Sequence, residues 1–224
     1  MQKASIFSAI VEIGIVPVIR TESAESAIRA IEAVYRGGIR AAEITMTVPG
    51  ALRALEKVAD QFGDEIVLGA GTVLDPETAR SCMLAGAQFF VTPSLNIKTI
   101  EMAQRYSKVI LPGALTPTEV LTAWQAGGDA IKIFPCSAVG GAKYIKALRA
   151  PFPHIEMVPT GGVNMETTAD FLRAGCCAVG VGGELIDSAT IREGHFEVFE
   201  ERARRFMEIV ANTRSLMRAS PTAH

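Results

Sequence analysis

Hydrophobic positions along the chain alternate between two patterns. Amphipathic segments of helical spacing close on a small residue and glycine, and each is followed by a short run that is apolar at successive positions. The pattern is clearest at Val34-Tyr35-Arg36-Gly37-Gly38 before Ala41-Ala42-Glu43-Ile44, and at Leu84-Ala85-Gly86 before Phe89-Phe90-Val91. It recurs at Gln125-Ala126-Gly127-Gly128 before Ile131-Lys132-Ile133-Phe134, and at Arg173-Ala174-Gly175 before Ala178-Val179-Gly180-Val181. Glycine after a helix accepts the left-handed conformation that ends it, so each marks a helix-to-strand junction. The junctions lie roughly 40 to 50 residues apart, with room for one more strand–helix pair between them.

Filling those gaps predicts eight strands, near 14–20, 40–46, 66–71, 88–92, 108–112, 129–134, 155–159 and 177–182. They are short and apolar on both faces, as parallel strands covered by helices are. Helices are predicted near 23–36, 50–61, 76–85, 97–106, 117–126, 141–149, 165–174 and 192–213, with an extra amphipathic helix over 3–12. Asp75-Pro76 and Thr116-Pro117 each place a capping residue before a first-turn proline. Eight alternating units with right-handed crossovers close more naturally into an α/β (β/α)8 TIM barrel than into an open sheet. The expectation is one barrel domain over 1–213, which includes the extra N-terminal helix, followed by a mobile polar tail over 214–224.

Composition narrows the function. The chain is 49% hydrophobic and 21% charged, with a mean hydropathy of +0.26, which excludes intrinsic disorder. With 22 basic against 24 acidic residues there is no global field to hold nucleic acid or an anionic membrane, so an anionic partner must be caught by a local site. No apolar run reaches transmembrane length, and Met1 to Arg20 does not read as a signal peptide. Four cysteines without metal-ligand spacing read as reduced thiols of a cytoplasmic protein. Three histidines, two of them near the C-terminus, leave little for a metal site, and none is expected.

In such a barrel the active site lies at the C-terminal ends of the strands. Of seven lysines, six fall in helical or junction segments as surface charges, whereas Lys132 stands inside Ala130-Ile131-Lys132-Ile133-Phe134. An ammonium is expensive to bury unless paired, and a neutral amine facing a barrel interior is what Schiff-base formation requires. A paired core lysine is the plainer alternative. Glu43 is a carboxylate within the apolar Ala41-Ala42-Glu43-Ile44-Thr45. It reads as a proton shuttle, or as a structural ion pair with Arg20 or Lys132. Gly161-Gly162 and Gly182-Gly183 end strands seven and eight, where such barrels often bind phosphate through backbone N–H groups. A single Gly-Gly is more often a turn; two at these strand ends are stronger. Asn164, just after the first pair, is placed to cap the next helix. Gly69-Ala70-Gly71-Thr72 follows the same logic as the glycine pairs after strand three. Arg20 closes strand one and either binds a carboxylate or is a rim arginine.

These segments resemble the 2-keto-3-deoxy-6-phosphogluconate (KDPG) aldolases, many also active on 4-hydroxy-2-oxoglutarate (KHG). The resemblance runs from about residue 6 to 210 in register. It rests on Val16-Pro17-Val18-Ile19-Arg20, Glu43-Ile44-Thr45, Gly69-Ala70-Gly71-Thr72-Val73, Val91-Thr92-Pro93, Lys132-Ile133-Phe134-Pro135 and Pro159-Thr160-Gly161-Gly162-Val163. It implies a cofactor-independent lyase of the Entner–Doudoroff pathway, a phosphorylated keto-acid substrate and a homotrimer. It also implies that Lys132 is the Schiff-base lysine and Glu43 the general acid/base. Thr72, Pro93 and Thr160 would line the pyruvate pocket, and Gly161, Gly162, Gly182 and Gly183 the phosphate region. Two positions depart from the family: Thr47 stands where many members carry a carboxylate-binding arginine, leaving Arg20 as the nearest substitute, and Gly183 stands where serine is common. The alternatives are a galactonate-specific aldolase, a sugar-phosphate isomerase or epimerase, and a non-catalytic phosphometabolite-binding barrel.

Overall fold

A computed structural model describes residues 2–219. Helix α1 (Lys3–Ile13) precedes strand β1 (Ile15–Ile19), and strands and helices then alternate: α2 (Ala24–Arg36), β2 (Ala41–Thr45), α3 (Ala51–Phe62), β3 (Val67–Gly71), α4 (Pro76–Leu84), β4 (Phe89–Val91) and α5 (Ile97–Arg105). The order continues with β5 (Val109–Leu111), β6 (Gly113–Ala114), α6 (Pro117–Gln125), β7 (Ile131–Ile133), α7 (Ala142–Arg149), β8 (Met157–Pro159), α8 (Thr168–Arg173), β9 (Val179–Val181), α9 (Ser188–Glu193) and α10 (Glu197–Ala219). Asp75 caps α4 by accepting from Thr78 N at 2.6 Å, and Thr116 with Glu119 forms a reciprocal capping box at α6, as the Asp-Pro and Thr-Pro signals require.

All strand pairs are parallel, in the orders β5-β4-β3-β2-β1-β9 and β6-β7-β8. The molecule is thus an α/β fold with a curled parallel sheet wrapped by helices. The fifth strand appears where expected, as β5, and a two-residue strand that was not expected, β6, follows it across Pro112. Pro112 has no N–H to donate and interrupts the ladder, but its carbonyl accepts from Lys132 N at 2.9 Å.

Side chains divide by alternation. Ala42, Ile44, Ile131 and Ile133 join the large core between sheet and helices. Ala41, Val67, Phe89, Val109, Ala130 and Val158 form a second cluster inside the curl, which Ile6 and Ile10 of α1 close from below. Each strand is therefore buried on both faces, which is why its residues read as unbroken apolar runs.

The C-terminal end corrects two expectations. The helix predicted over 192–213 is split, because Gly194 at φ +80° ends α9 and α10 begins at Glu197. The expected tail over 214–224 is helical as far as Ala219. Arg214 anchors it, donating to Glu12 O at 2.5 Å, Val11 O at 2.6 Å and Cys177 O at 3.1 Å. Residues 220–224 of that tail lie outside the described residues. No described helix is long and apolar enough to cross a membrane.

Candidate active site

The interior residues of β2 and β7 end in charge. On β2, Ala41 lies in the inner cluster, and Glu43, two positions on, shares its face; Ala130 and Lys132 stand in the same relation on β7. Lys132 is 6% exposed and Glu43 2% exposed. Lys132 has no ion pair or hydrogen bond from its amine among the described residues; its Nζ lies 5.1 Å from the centre of the Phe134 ring. Glu43 Oε1 likewise has no hydrogen-bond partner. Burial raises the Glu43 pKa above the usual carboxylate value, and the charges of Lys132 and Arg20 oppose that rise. The plainer reading of both residues, a structural ion pair, is not what the structure contains. An amine and a carboxyl feel each other's charge while neither is consumed by a partner.

Strand glycines make the room. A Cβ on Gly71 would stand 2.6 Å from Glu43 Oε1, one on Gly69 would run into the Phe89 ring, and one on Gly180 into Thr160 Oγ1. Gly71 therefore leaves room for the Glu43 carboxyl, and Gly69 for the Phe89 ring. Thr72 follows at φ +55°, a conformation costly for a β-branched residue and typical of functional sites.

Above the interior pair opens a cavity of about 490 Å³, lined by Arg20, Phe134, Thr160, Gly161, Gly162, Gly182, Gly183 and Asp187 among others. Six of the eleven residues expected from sequence thus meet in one space, and Phe134 links it to Lys132. Arg20 is exposed at the end of β1 and has no hydrogen-bond or ion-pair partner among the described residues. Pro93, Thr72 and Thr47 lie outside this lining. Pro93 packs its backbone against Gly113, the register partner of Lys132. Thr47 is exposed, its hydroxyl 2.7 Å from Thr45 Oγ1, which in turn donates to Ile19 O at 3.0 Å. Asn164 accepts from Glu166 N at 2.9 Å and Thr167 N at 2.8 Å, and so orders the turn before α8.

The two glycine pairs differ. Gly161 and Gly162 have φ of +90° and +76°, and a Cβ on Gly162 would collide with Ser137. Gly182 and Gly183 have no such φ, and a Cβ on either meets nothing within 4 Å. Folding requires glycine at the first pair. At the second no packing requires it, and both residues line the cavity.

Sequence reasoning did not single out Asp187, a wall residue of the cavity, or Phe134 as its link to Lys132. Phe134 was visible by alternation from Lys132. Asp187 stands on a loop whose path no periodicity reveals.

A model of the KDPG and KHG aldolase family matches residues 6–201. A 2-dehydro-3-deoxy-6-phosphogalactonate aldolase of Escherichia coli is 37% identical over 172 residues, 76% of this chain and 83% of its own length. A 2-dehydro-3-deoxy-phosphogluconate aldolase of Treponema pallidum is 30% identical over 206 residues, 92% of this chain and 98% of its own. Among solved structures, a KDPG aldolase from Legionella pneumophila, with pyruvate captured as a covalent carbinolamine intermediate, aligns with a TM-score of 0.82 at 29% identity, covering 91% of this chain and 97% of that one. With matches that run the length of the described fold, the chain belongs to the KDPG and KHG aldolase family.

Proposed function

We propose that this protein is a class I aldolase that cleaves KDPG to pyruvate and glyceraldehyde 3-phosphate, and KHG to pyruvate and glyoxylate. The observation that carries the reading is Lys132, an interior amine without a partner, within the field of an equally uncommitted Glu43. The Lys132 amine attacks the C2 ketone, and Glu43 moves the protons that convert the carbinolamine to the iminium with loss of water. Removal of the C4 hydroxyl proton then breaks the C3–C4 bond, the aldehyde leaves, and the bonding pair enters the iminium to give an enamine. Protonation at C3 and hydrolysis release pyruvate and restore the free amine. Thr160 with Thr72 and Pro93 would enclose the pyruvate half, Arg20 or Thr47 would meet its carboxylate, and Gly161, Gly162, Gly182 and Gly183 the phosphate. No cofactor enters these steps.

Behind this reading stands a closed (β/α)8 barrel in one domain. It is supported by the Pro112 carbonyl that joins β7 to the β5–β6 segment and by a parallel bridge between Thr160 and Gly180 beside β9. A homotrimer working in the cytoplasm in the Entner–Doudoroff pathway is the setting the family resemblance implies, and four free cysteines suit a reducing compartment. The galactonate epimer of KDPG is a second substrate reading, favoured by the 37% identical relative. Comparing kcat/KM for KDPG, its galactonate epimer and KHG tests the assignment. Pyruvate release from KDPG is expected; release from none of the three would overturn it.

A further inference from the structure

The Gly182–Ser188 segment is held from outside the cavity. The N–H groups of Leu185 and Ile186 return to Gly182 O at 2.9 and 3.0 Å, closing the segment on itself. Arg202 of α10 then donates from Nη1 to Asp187 Oδ2 at 2.7 Å and to Leu185 O at 3.4 Å. Asp187 is at once the N-cap of α9: Oδ1 accepts from Ala189 N at 3.0 Å and Thr190 N at 2.9 Å, and Oδ2 from Thr190 Oγ1 at 2.8 Å.

Asp187 also stands on the cavity wall, next to Glu184, whereas Arg202 does not line that cavity. Burial alone would raise the Asp187 pKa, but the hydrogen bonds from Thr190 and Arg202 outweigh it and hold the carboxyl well below the usual range. The wall proposed to receive a phosphate monoester thus carries an ionised carboxylate. Like charges within one site oppose binding unless a counter-charge is fixed beside them.

We infer that Arg202 is a positioning residue for the distal phosphate. Through Asp187 and Leu185 it fixes the turn that carries Gly182 and Gly183 along the cavity wall, and it neutralises Asp187 from behind without entering the cavity. The inference rests on the aldolase reading for the identity of the substrate, and on the cavity geometry for everything else.

The test uses Arg202→Met, Arg202→Lys and the double variant Arg202→Met/Asp187→Asn, in which asparagine keeps the helix cap but removes the charge. Two readouts are taken: steady-state kinetics on KDPG and on unphosphorylated KHG, and calorimetric binding of 3-phosphoglycerate. Arg202→Met is expected to raise KM for KDPG and Kd for 3-phosphoglycerate about tenfold, with kcat and both KHG parameters within about twofold. Arg202→Lys recovers part of the loss, and the double variant recovers most of it. Equal losses on both substrates, a fall in kcat alone, unchanged 3-phosphoglycerate binding, or a double variant no better than Arg202→Met would overturn the inference. If the parent cleaves neither keto acid, the aldolase reading fails, while 3-phosphoglycerate binding still decides the role of Arg202.

Discussion

Lys132 and Glu43 are 6% and 2% exposed on strands whose other inner residues are apolar, whereas Gly182 and Gly183 stand at a rim where a Cβ would meet nothing within 4 Å. The interior places charge where it is expensive and leaves it unpartnered. The rim removes side chains where space is free. The first arrangement suits covalent chemistry, because an amine that no partner holds can attack a carbonyl, and burial raises the pKa of the carboxyl beside it so that it can carry protons. The second suits binding, because bare N–H groups receive an anion without a titrating side chain. Interior changes are therefore expected to appear in kcat, and rim changes in KM for phosphorylated substrate.

The largest effect is expected at Lys132. Lys132→Arg keeps the charge but cannot form the iminium, so kcat should fall on the order of 10⁴-fold or more while the far-UV circular dichroism is retained. Turnover near the parent's would remove the interior from the chemistry. Glu43→Gln should slow single-turnover cleavage about 10²- to 10⁴-fold; an unchanged rate would make Glu43 structural.

At the rim, the two glycine pairs should respond differently to a methyl group. Gly183→Ala should leave stability within about 0.5 kcal/mol of the parent and raise KM for KDPG about tenfold. Gly162→Ala should instead cost about 1–3 kcal/mol in urea unfolding, since its φ of +76° and the collision with Ser137 penalise any Cβ. If both variants behaved alike, the distinction between a fold-required and a ligand-facing pair would fail.

The smallest effect concerns pH. The folded Glu43 pKa lies above its ordinary value of 4.5, so between the two values the native state binds more protons than the unfolded state. Stability therefore falls as pH rises through that window, by about 1.4 kcal/mol for each pH unit the window spans. Glu43→Gln should flatten this slope and unfold at higher urea than the parent at neutral pH. A parent midpoint that rises across the same window would contradict the assignment.

Strand and helix positions were legible because each strand is buried on both faces and many of the helices are followed by a left-handed glycine, as at Gly14, Gly38, Gly86, Gly127 and Gly175. Lys132 and Glu43 were legible for a related reason: a charge inside such a run has no cheap explanation. Two things were hidden. Pro112 ends β5 and sets the two-residue β6 apart from it because it lacks an N–H, an effect of pairing rather than of pattern. The helical course of residues 214–219 depends on Arg214 reaching carbonyls of Val11, Glu12 and Cys177, contacts that no local periodicity encodes. The places of Gly71 and Gly69 show only in the fold, where their missing Cβ atoms make room for Glu43 and Phe89.

Incubation with pyruvate and sodium borohydride, followed by peptide mass mapping, asks whether the interior amine is the nucleophile. A reduced pyruvate adduct is predicted on the peptide that contains Lys132, with no adduct in Lys132→Arg. An adduct on another lysine, or none in the parent, would contradict that assignment.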